Sequence, residues 1–388
     1  MANRISRRQL AYAAVAGAAL RGQETPKAAQ NTYGGPLEGL AAKVDTRSFD
    51  PVAWTLDRQQ TAPLKMTFQA KTRKQAEAWQ RQFRAKLVEL VGGFPDARPT
   101  PHAQTLESRE FPTYKREKFV FESRPGVGVL AYLLTPANAR PPYAVAICIP
   151  GHGRGVDDCV GIDEHGNDRT DKAGYQKDFA IQAVEHGLAA VAIEPMAFGC
   201  RRDAKTAAKG LGATACQPAA GSALLLGETM IGWRVWDVRR TIDWVGTRPE
   251  LDVTRVGCMG ISGGGTCTLF SAALDPRIKA AFVSGYLNTF RDSIMSMSHC
   301  IDNYVPGILN WGEQYDVAAL IAPRPLFSEG GDRDPIFPVA ATRASYERVK
   351  KVYQLFGAPD QVQQEIFSGV HEFHGVRGLP FLATALKA

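Results

Sequence analysis

The sequence of 388 residues has no long apolar run, no internal repeat and no low-complexity segment. A transmembrane helix needs roughly 20 strongly apolar residues, and the alanine-rich run over residues 11–20 is too short and too mild. Its 37 glycines and 24 prolines follow no period, which excludes a collagen-like chain. With 45% hydrophobic and 22% charged residues, the composition is that of an ordinary globular protein. We therefore predict no membrane span in the mature chain.

Cysteine is also scarce, and its spacing predicts no metal site. None of the seven cysteines forms a Cys-x-x-Cys motif or a His/Cys cluster with metal-ligand spacing. Because the number is odd, at least one thiol must be free or paired between chains. Cys148 and Cys258 stand in apolar runs, where cysteine behaves as a small hydrophobic residue. Cys200 and Cys216 flank a loop and are candidates for a disulfide in an oxidising compartment.

A clustered basic surface is missing as well. The formal net charge is +7 and the pI is about 9.0, but lysine and arginine are scattered along the chain. A nucleic-acid site requires basic residues to be clustered and interleaved with aromatic ones. The pattern favours a mixed, solvated surface, and we predict no nucleic-acid partner.

The N-terminus has the features of an export signal. Several arginines precede a short alanine-rich segment that contains the small residues Ala16-Gly-Ala18, and the pair Arg7-Arg8 after Ser6 resembles a twin-arginine motif. We expect residues 1–22 to be this signal and the mature protein to be periplasmic or secreted. A cytosolic N-terminus with a chance basic cluster is the alternative. Residues 23–60 show little periodicity and predict an irregular arm.

Residues 61–388 predict a single α/β domain that begins with a helical extension. Apolar residues recur at helical spacing over 72–91. Lys118 to Leu134 predicts two antiparallel strands joined at Pro125-Gly126. From Tyr143 onward, continuously apolar strands alternate with helices, which indicates a parallel sheet covered on both faces. The predicted fold is therefore a mostly parallel central sheet with helices on both faces and an antiparallel N-terminal edge.

The chemistry is concentrated around Ser262. Gly260-Ile-Ser-Gly-Gly264 lies between a predicted strand and a predicted helix, as in the nucleophile elbow of serine hydrolases. Small residues two positions either side allow a sharp turn that exposes the hydroxyl at a helix N-terminus. A dinucleotide-binding turn would need Gly-x-Gly-x-x-Gly, and Ser262 occupies the position of its second glycine. We predict Ser262 to be a nucleophile.

An acid and a histidine follow in the order that such a serine requires. Asp334 and Asp332 both come after the apolar strand near Leu326, and we favour Asp334 because Pro-Ile-Phe-Pro follows it. His371 and His374 both follow the last predicted strand, and we favour His371, which stands in a Gly-x-His-x-Phe setting. In this arrangement the histidine takes the serine proton and the aspartate fixes the histidine tautomer.

The oxyanion donors and the substrate-binding residues are less sharply indicated. One donor is expected to be the N–H of Gly263, and the second is expected from the loop Gly151–Gly155, at Gly153 or Arg154. A plain glycine turn is the alternative for that loop. Glu194, Arg201 and Trp311 are candidates for a substrate pocket, with ion pairing or core packing equally open for each.

These motifs together resemble the dienelactone-hydrolase-like and acetyl xylan esterase-like branch of the α/β-hydrolases, of bacterial exported type. The similarity runs from about residue 118 to 374 and includes Pro150-Gly-His-Gly153, Phe198-Gly-Cys-Arg201 and Ala273-Leu-Asp-Pro-Arg277. It implies an α/β-hydrolase fold, hydrolysis of small or carbohydrate-linked carboxylic esters through an acyl-enzyme, and no cofactor. Dienelactone hydrolases proper use cysteine where this chain has Ser262, which argues against their substrates. A peptidase on the same fold, or an esterase for aromatic or lignin–carbohydrate esters, remains the alternative.

Overall fold

The computed structural model describes residues 34–44 and 49–387. The predicted export signal over 1–22 and residues 23–33 and 45–48 of the predicted arm lie outside the described residues. The chain divides into two compact units, Met1–Asp50 and Pro51–Ala388. In the first unit, the described residues form turns and a short 3-10 helix over Ala41–Lys43.

The second unit opens with two helices, α1 over Pro51–Gln60 and α2 over Arg73–Leu90. The first corrects the expectation of an irregular arm through residue 60. It has proline at its first position, where no intrahelical donor is needed, but no buried residue and hence no apolar stripe that would reveal it. The second was predicted and begins with a capping box between Thr72 and Gln75.

Within the described residues, nine strands form one sheet, in the order β1-β2-β3-β5-β4-β6-β7-β8-β9. In chain order they are β1 Gln104–Glu110, β2 Tyr114–Arg124, β3 Val127–Pro136, β4 Tyr143–Ile149, β5 Ala189–Ile193, β6 Leu251–Ile261, β7 Ile278–Ser284, β8 Leu326–Gly331 and β9 Val362–Phe367. The pairs from β5 through β4, β6, β7 and β8 to β9 are parallel, whereas β1, β2 and β3 pair antiparallel with their neighbours. This confirms the predicted mostly parallel sheet with an antiparallel edge.

Strand β1 was not predicted, because its sequence carries no apolar alternation. All seven of its residues, Gln-Thr-Leu-Glu-Ser-Arg-Glu, are exposed. Among the residues that the structure describes, it pairs only with β2, antiparallel, at the edge of the sheet. The central strands are the opposite case. Every residue of β5, Ala-Ala-Val-Ala-Ile, is buried, which produces the continuous apolar pattern typical of strands covered on both faces. Strand β8 is buried throughout as well, but it includes Ser328 and Glu329.

Helices cover both faces of the sheet. The remaining α-helices are α3 Phe179–Glu185, α4 Ala204–Ala207, α5 Cys216–Leu225, α6 Met230–Val245, α7 Gly263–Leu274, α8 Gln314–Ala319, α9 Val339–Leu355 and α10 Gly378–Lys387. One hydrophobic core joins α2, α6, α7 and α9 to one face, and a second core joins α3 and α10 to the other. No helix among the described residues is long and apolar enough to cross a lipid bilayer.

The cysteines do not pair as the loop at 200–216 suggested. All seven lie within the described residues and are free thiols. Cys148 and Cys258 are fully buried in their strands, as predicted. Cys200 is exposed, whereas Cys216 is buried at the start of α5 beside His152 and Asp302. The candidate disulfide between the two cysteines is therefore not formed.

Candidate active site

Ser262 lies at the sharp turn between β6 and α7. Its backbone has φ 58° and ψ −121°, a conformation that side chains rarely adopt. Gly264 has to be glycine because an added Cβ would collide with the carbonyl oxygen of Ile149. At Gly260 a Cβ would lie 2.5 Å from the same oxygen. The two glycines therefore allow β4 to approach the turn closely, as the sequence motif indicated.

The aspartate that contacts a histidine is Asp334. Its Oδ2 lies 2.7 Å from Nδ1 of His371, while its Oδ1 accepts hydrogen bonds from the backbone N–H groups of Ile336 and Phe337, at 2.8 and 3.1 Å. Its side chain is only 2% exposed. Asp332 is 44% exposed and instead accepts from the N–H of Gly369. The structure thus brings Asp334, and not Asp332, to His371.

His374 faces a different environment from His371. Its Nε2 is 3.7 Å from Glu365, and its ring stacks on Phe367 with centroids 4.5 Å apart. Its backbone N–H and that of Gly375 both donate to the carboxylate of Glu329, at 2.9 Å each. Glu329 also accepts from the hydroxyl of Ser284 at 2.7 Å. This buried carboxylate ties the histidine loop to the sheet, and burial raises the pKa of Glu329 to about 7.

Ser262 and His371 line one cavity of about 470 Å³. The other lining residues are His152, Tyr175, Met297, Ser298, His299, Cys300 and Ile336. Nε2 of His371 is buried and has no hydrogen-bond partner among the described residues. The imidazole is thus held from its Nδ1 side by Asp334, and its second nitrogen is uncommitted.

The glycine loop after β4 lies against the serine, but not through the residues that were predicted. The backbone N–H of Arg154 donates to Oδ2 of Asp158 at 2.7 Å, so the structure contradicts Arg154 as an oxyanion donor. Gly153 packs directly on the same carboxylate, where an added Cβ would collide. The part of the loop beside Ser262 is Gly151-His152, since a Cβ on Gly151 would lie 3.1 Å from that of Ser262. Gly263, the other predicted donor, is the first residue of α7.

The three predicted substrate-binding residues do not line the serine cavity. Glu194 is buried and accepts from the N–H of Val156, and burial raises its pKa to about 8. Arg201 pairs with Asp237 at 2.6 Å. Trp311 lies beneath the side chains of two lysines, Lys65 and Lys86. Arg201 thus has the ion pair and Trp311 the packing on the core that the sequence left open as alternatives, whereas Glu194 is fixed by a backbone hydrogen bond.

The residues that do line the cavity come largely from segments without a sequence signal. Tyr175 stands in the irregular segment that precedes α3, which begins at Phe179. Its hydroxyl donates to the carbonyl of His152 at 2.6 Å, and its ring centroid lies 5.8 Å from that of His371. The contact is made in three dimensions, and the surrounding sequence has no motif that indicates it.

A group of potential metal ligands forms part of the same wall. The ligand atoms of His152, Cys216, Cys300 and Asp302 all lie within 4.8 Å of one another. The expectation of no metal site rested on linear spacing, in which only Cys300-x-Asp302 are close together. The fold brings the other two from segments that are remote in sequence.

Comparison with known proteins agrees with this fold. A model of the Abhydrolase family matches residues 52–372, most of the chain. The chain belongs to the Abhydrolase family. The match spans the sheet from β1 to β9 and includes Ser262, Asp334 and His371. This chain is also 25% identical over 284 residues to the Bacillus subtilis (strain 168) protein YtaP, which is named as a hydrolase. The matched residues make up 71% of this chain and 89% of that protein.

Several solved structures share the α/β-hydrolase fold of this family member. A Bacteroides fragilis NCTC 9343 protein described as an acetyl xylan esterase superposes with a TM-score of 0.69 at 20% identity, covering 83% of each chain. A glucuronoyl esterase from Solibacter usitatus gives 0.61 at 15% identity over 84% of this chain and 97% of that one. An acetyl xylan esterase from Paenibacillus sp. R4 gives 0.52 at 17% identity over 84% and 98%. At these identities the likeness establishes the fold.

Proposed function

We propose that this Abhydrolase family member is a serine carboxylic-ester hydrolase that acts through an acyl-enzyme. The observation that carries the proposal is the 2.7 Å hydrogen bond between Asp334 and His371 in the cavity that Ser262 lines. Of two aspartates and two histidines offered by the sequence, one of each meets there. The strained turn at Ser262 is the backbone conformation that presents a nucleophile above a sheet.

Each triad member has a defined task in this reaction. Nε2 of His371 takes the proton of the Ser262 hydroxyl as its oxygen attacks the ester carbonyl, and the imidazolium then returns a proton to the leaving alcohol. Asp334 holds the proton on Nδ1 and stabilises the imidazolium. Water hydrolyses the acyl-enzyme by the same proton transfers in reverse order.

The oxyanion of the tetrahedral intermediate needs two donors beside Ser262. One is the N–H of Gly263, at the N-terminus of α7, where the helix dipole adds to the stabilisation. For the second we infer the N–H of His152, because Gly151-His152 is the part of the loop that packs against Ser262 and the N–H of Arg154 is already donated to Asp158. The peptide that carries this N–H is held by Gln176, whose side-chain amide donates to the carbonyl of Gly151 at 3.4 Å, and the following peptide is held by Tyr175, which donates to the carbonyl of His152.

Small or carbohydrate-linked esters are the proposed substrates. The cavity of about 470 Å³ has room for a short acyl group, and two neighbours of the same fold are described as acetyl xylan esterases. The glucuronoyl esterase neighbours favour a second candidate, an ester that links a uronic acid to an alcohol. The residues that contact the alcohol part would come from the loops around Met297–Cys300.

The test is replacement of Ser262 by alanine. Ser262→Ala should lower kcat for a short-chain nitrophenyl ester by roughly 10⁴-fold or more, because the triad acts as a unit. Ser222→Ala, which removes an exposed helix hydroxyl, is the matched control and should keep wild-type turnover. Undiminished hydrolysis by the Ser262 variant would disprove the assignment. Acetylated xylan, glucuronoyl esters, aromatic esters and peptides, assayed in parallel, separate the substrate classes and the peptidase alternative.

We also propose that residues 1–22 direct export and that the mature enzyme acts in the periplasm or outside the cell. Support comes from Arg7-Arg8 and the mild alanine-rich segment after it. A carbohydrate-linked ester is a substrate found outside the cytoplasm, which is consistent with this location.

A further inference from the structure

Three separate segments bring metal-binding side chains to the wall of the serine cavity. His152 stands in the turn after β4, and Cys216 is the first residue of α5. Cys300 immediately precedes a 3-10 turn over Ile301–Asn303, which contains Asp302. Cys216 and Asp302 are buried, while His152 and Cys300 line the cavity. The proposed ester hydrolysis uses none of these four side chains, since His152 contributes only its backbone N–H.

Their spacing agrees with a tetrahedral ion. With Zn–S about 2.3 Å and Zn–N and Zn–O about 2.0 Å, tetrahedral ligand atoms lie about 3.3–3.8 Å apart, and the longest separation is that of two sulfurs. Oδ2 of Asp302 is 3.4 Å from Nε2 of His152 and 3.4 Å from Sγ of Cys216. Sγ of Cys216 is 3.7 Å from Nε2 of His152. The fourth ligand atom, Sγ of Cys300, lies within 4.8 Å of the other three.

The charges also balance. Two thiolates and one carboxylate would bring three negative charges into a largely buried place. Arg234, itself buried, pairs with Oδ2 of Asp302 at 2.5 Å and reaches Sγ of Cys216 at 3.5 Å. One divalent cation together with Arg234 neutralises the set. The same arginine would hold the aspartate from outside, as partners of metal ligands commonly do.

We propose that His152, Cys216, Cys300 and Asp302 bind one Zn²⁺ ion with a structural role. A mixed set of two sulfurs, an imidazole and a carboxylate suits zinc rather than calcium or magnesium, which prefer oxygen ligands. Four protein ligands close the coordination shell, so the ion does not activate water. It ties the turn at His152, the start of α5 and the 300–302 segment together, and the cavity provides its entry path through His152 and Cys300.

The experiment measures metal content and does not depend on ester hydrolysis. The full chain, prepared without a histidine tag and with its thiols reduced, is loaded with Zn²⁺, desalted and analysed by plasma mass spectrometry. We expect about one zinc per chain in the wild type and at least a tenfold loss, on the order seen for disrupted metal sites, in Cys216→Ser and Cys300→Ser. Cys200→Ser, which removes an exposed thiol outside the site, should keep the wild-type zinc content.

Cobalt provides a second readout. Co²⁺ in place of Zn²⁺ should give the thiolate charge-transfer and tetrahedral d–d bands in the wild type and in Cys200→Ser, and these bands should be lost or shifted in Cys300→Ser. Circular dichroism checks that each variant is folded; Cys300→Ser is the safer variant because its side chain is partly exposed. A folded, reduced wild type that takes up neither ion overturns the proposal. So does a Cys216–Cys300 disulfide in the protein isolated from its native compartment.

Discussion

Asp332 and Asp334 are two residues apart and carry the same functional group, yet their surroundings differ. Asp334 is buried, accepts hydrogen bonds from two backbone N–H groups and contacts His371, whereas the side chain of Asp332 is 44% exposed. The backbone donors fix the orientation of Asp334, so its remaining oxygen can only face the histidine. The two aspartates therefore allow a matched test of whether catalysis depends on the position of the acid next to His371 or only on the presence of an acid in this loop.

Asp334→Asn should lower kcat by about 10³- to 10⁴-fold, because the amide can no longer hold the imidazole in the productive tautomer. Asp332→Asn should stay close to wild-type turnover, since an asparagine oxygen can still accept from Gly369. Steady-state kinetics with a nitrophenyl ester compares the two variants. Equal losses in both, or a larger loss in the Asp332 variant, would contradict the placement of the acid.

At the scale of residues, the sequence identified those catalytic candidates that stand in a short linear motif. The turn at Ser262, the loop of Asp334 and that of His371 each follow a strand, so a linear motif marks them. Arg154 was predicted wrongly, because a loop with glycine at three of its five positions does not show which backbone N–H is already bonded to Asp158. Tyr175 and the ligands around Asp302 come together only through the fold, and no local pattern indicates them.

At the scale of the elements, Glu329 links β8 to the loop that carries His371. Its carboxylate is 2% exposed and accepts from Ser284, His374 and Gly375. Burial raises its pKa from 4.5 to about 7 in the folded protein. The folded state therefore holds the proton more tightly than the unfolded state between these two pH values. The resulting stabilisation is full below pH 4.5 and is lost as the pH rises through 7.

Replacing Glu329 by glutamine should remove this pH dependence. As the pH rises from 4.5 to 7, the unfolding free energy of the wild type should fall by about 3 kcal/mol, the value that corresponds to this pKa shift. The unfolding free energy of Glu329→Gln should not show this fall. Urea titrations across this pH range measure it. Glu347→Gln, which neutralises an exposed carboxylate on α9, serves as the control and should keep the wild-type slope. A Glu329 variant with the same slope as the wild type would refute the assignment.

Helices and strands could be predicted where their buried residues leave a periodic apolar pattern in the sequence. The central strands and the amphipathic α2 have apolar residues at the spacing of their structure. Helix α1 and strand β1 have no buried residues, so pairing and local propensity fix them without any apolar signature. The same cause explains both omissions.

At the scale of the whole molecule, the second unit contains the complete sheet and all residues of the proposed site. The fold class and the antiparallel edge followed from the order of the apolar strands, because alternation of strand and helix leaves few topologies available. Substrate and location are decided by loops and by the N-terminal segment, which the strand pattern does not describe. These remain proposals.

Export can be tested directly on the full chain. Changing Arg7 and Arg8 together to lysine should retain the protein in the cytoplasm of a host that has a twin-arginine pathway, because the receptor reads the arginine pair. Arg4→Lys is the control that keeps the charge and the pair. Cell fractionation followed by immunoblotting measures location and size. Processed protein outside the cytoplasm in the double-lysine variant would exclude this route.

The all-exposed strand β1 has a consequence for behaviour at high concentration. An unpaired sheet edge is a template on which another chain can add a strand. The seven residues of β1 include three charged ones, Glu107, Arg109 and Glu110. Leu106 is the one large apolar side chain that this strand exposes. A strand from a second molecule would have to desolvate these charges for little apolar burial. The edge is thus protected against aggregation by the same polar composition that hid it from prediction.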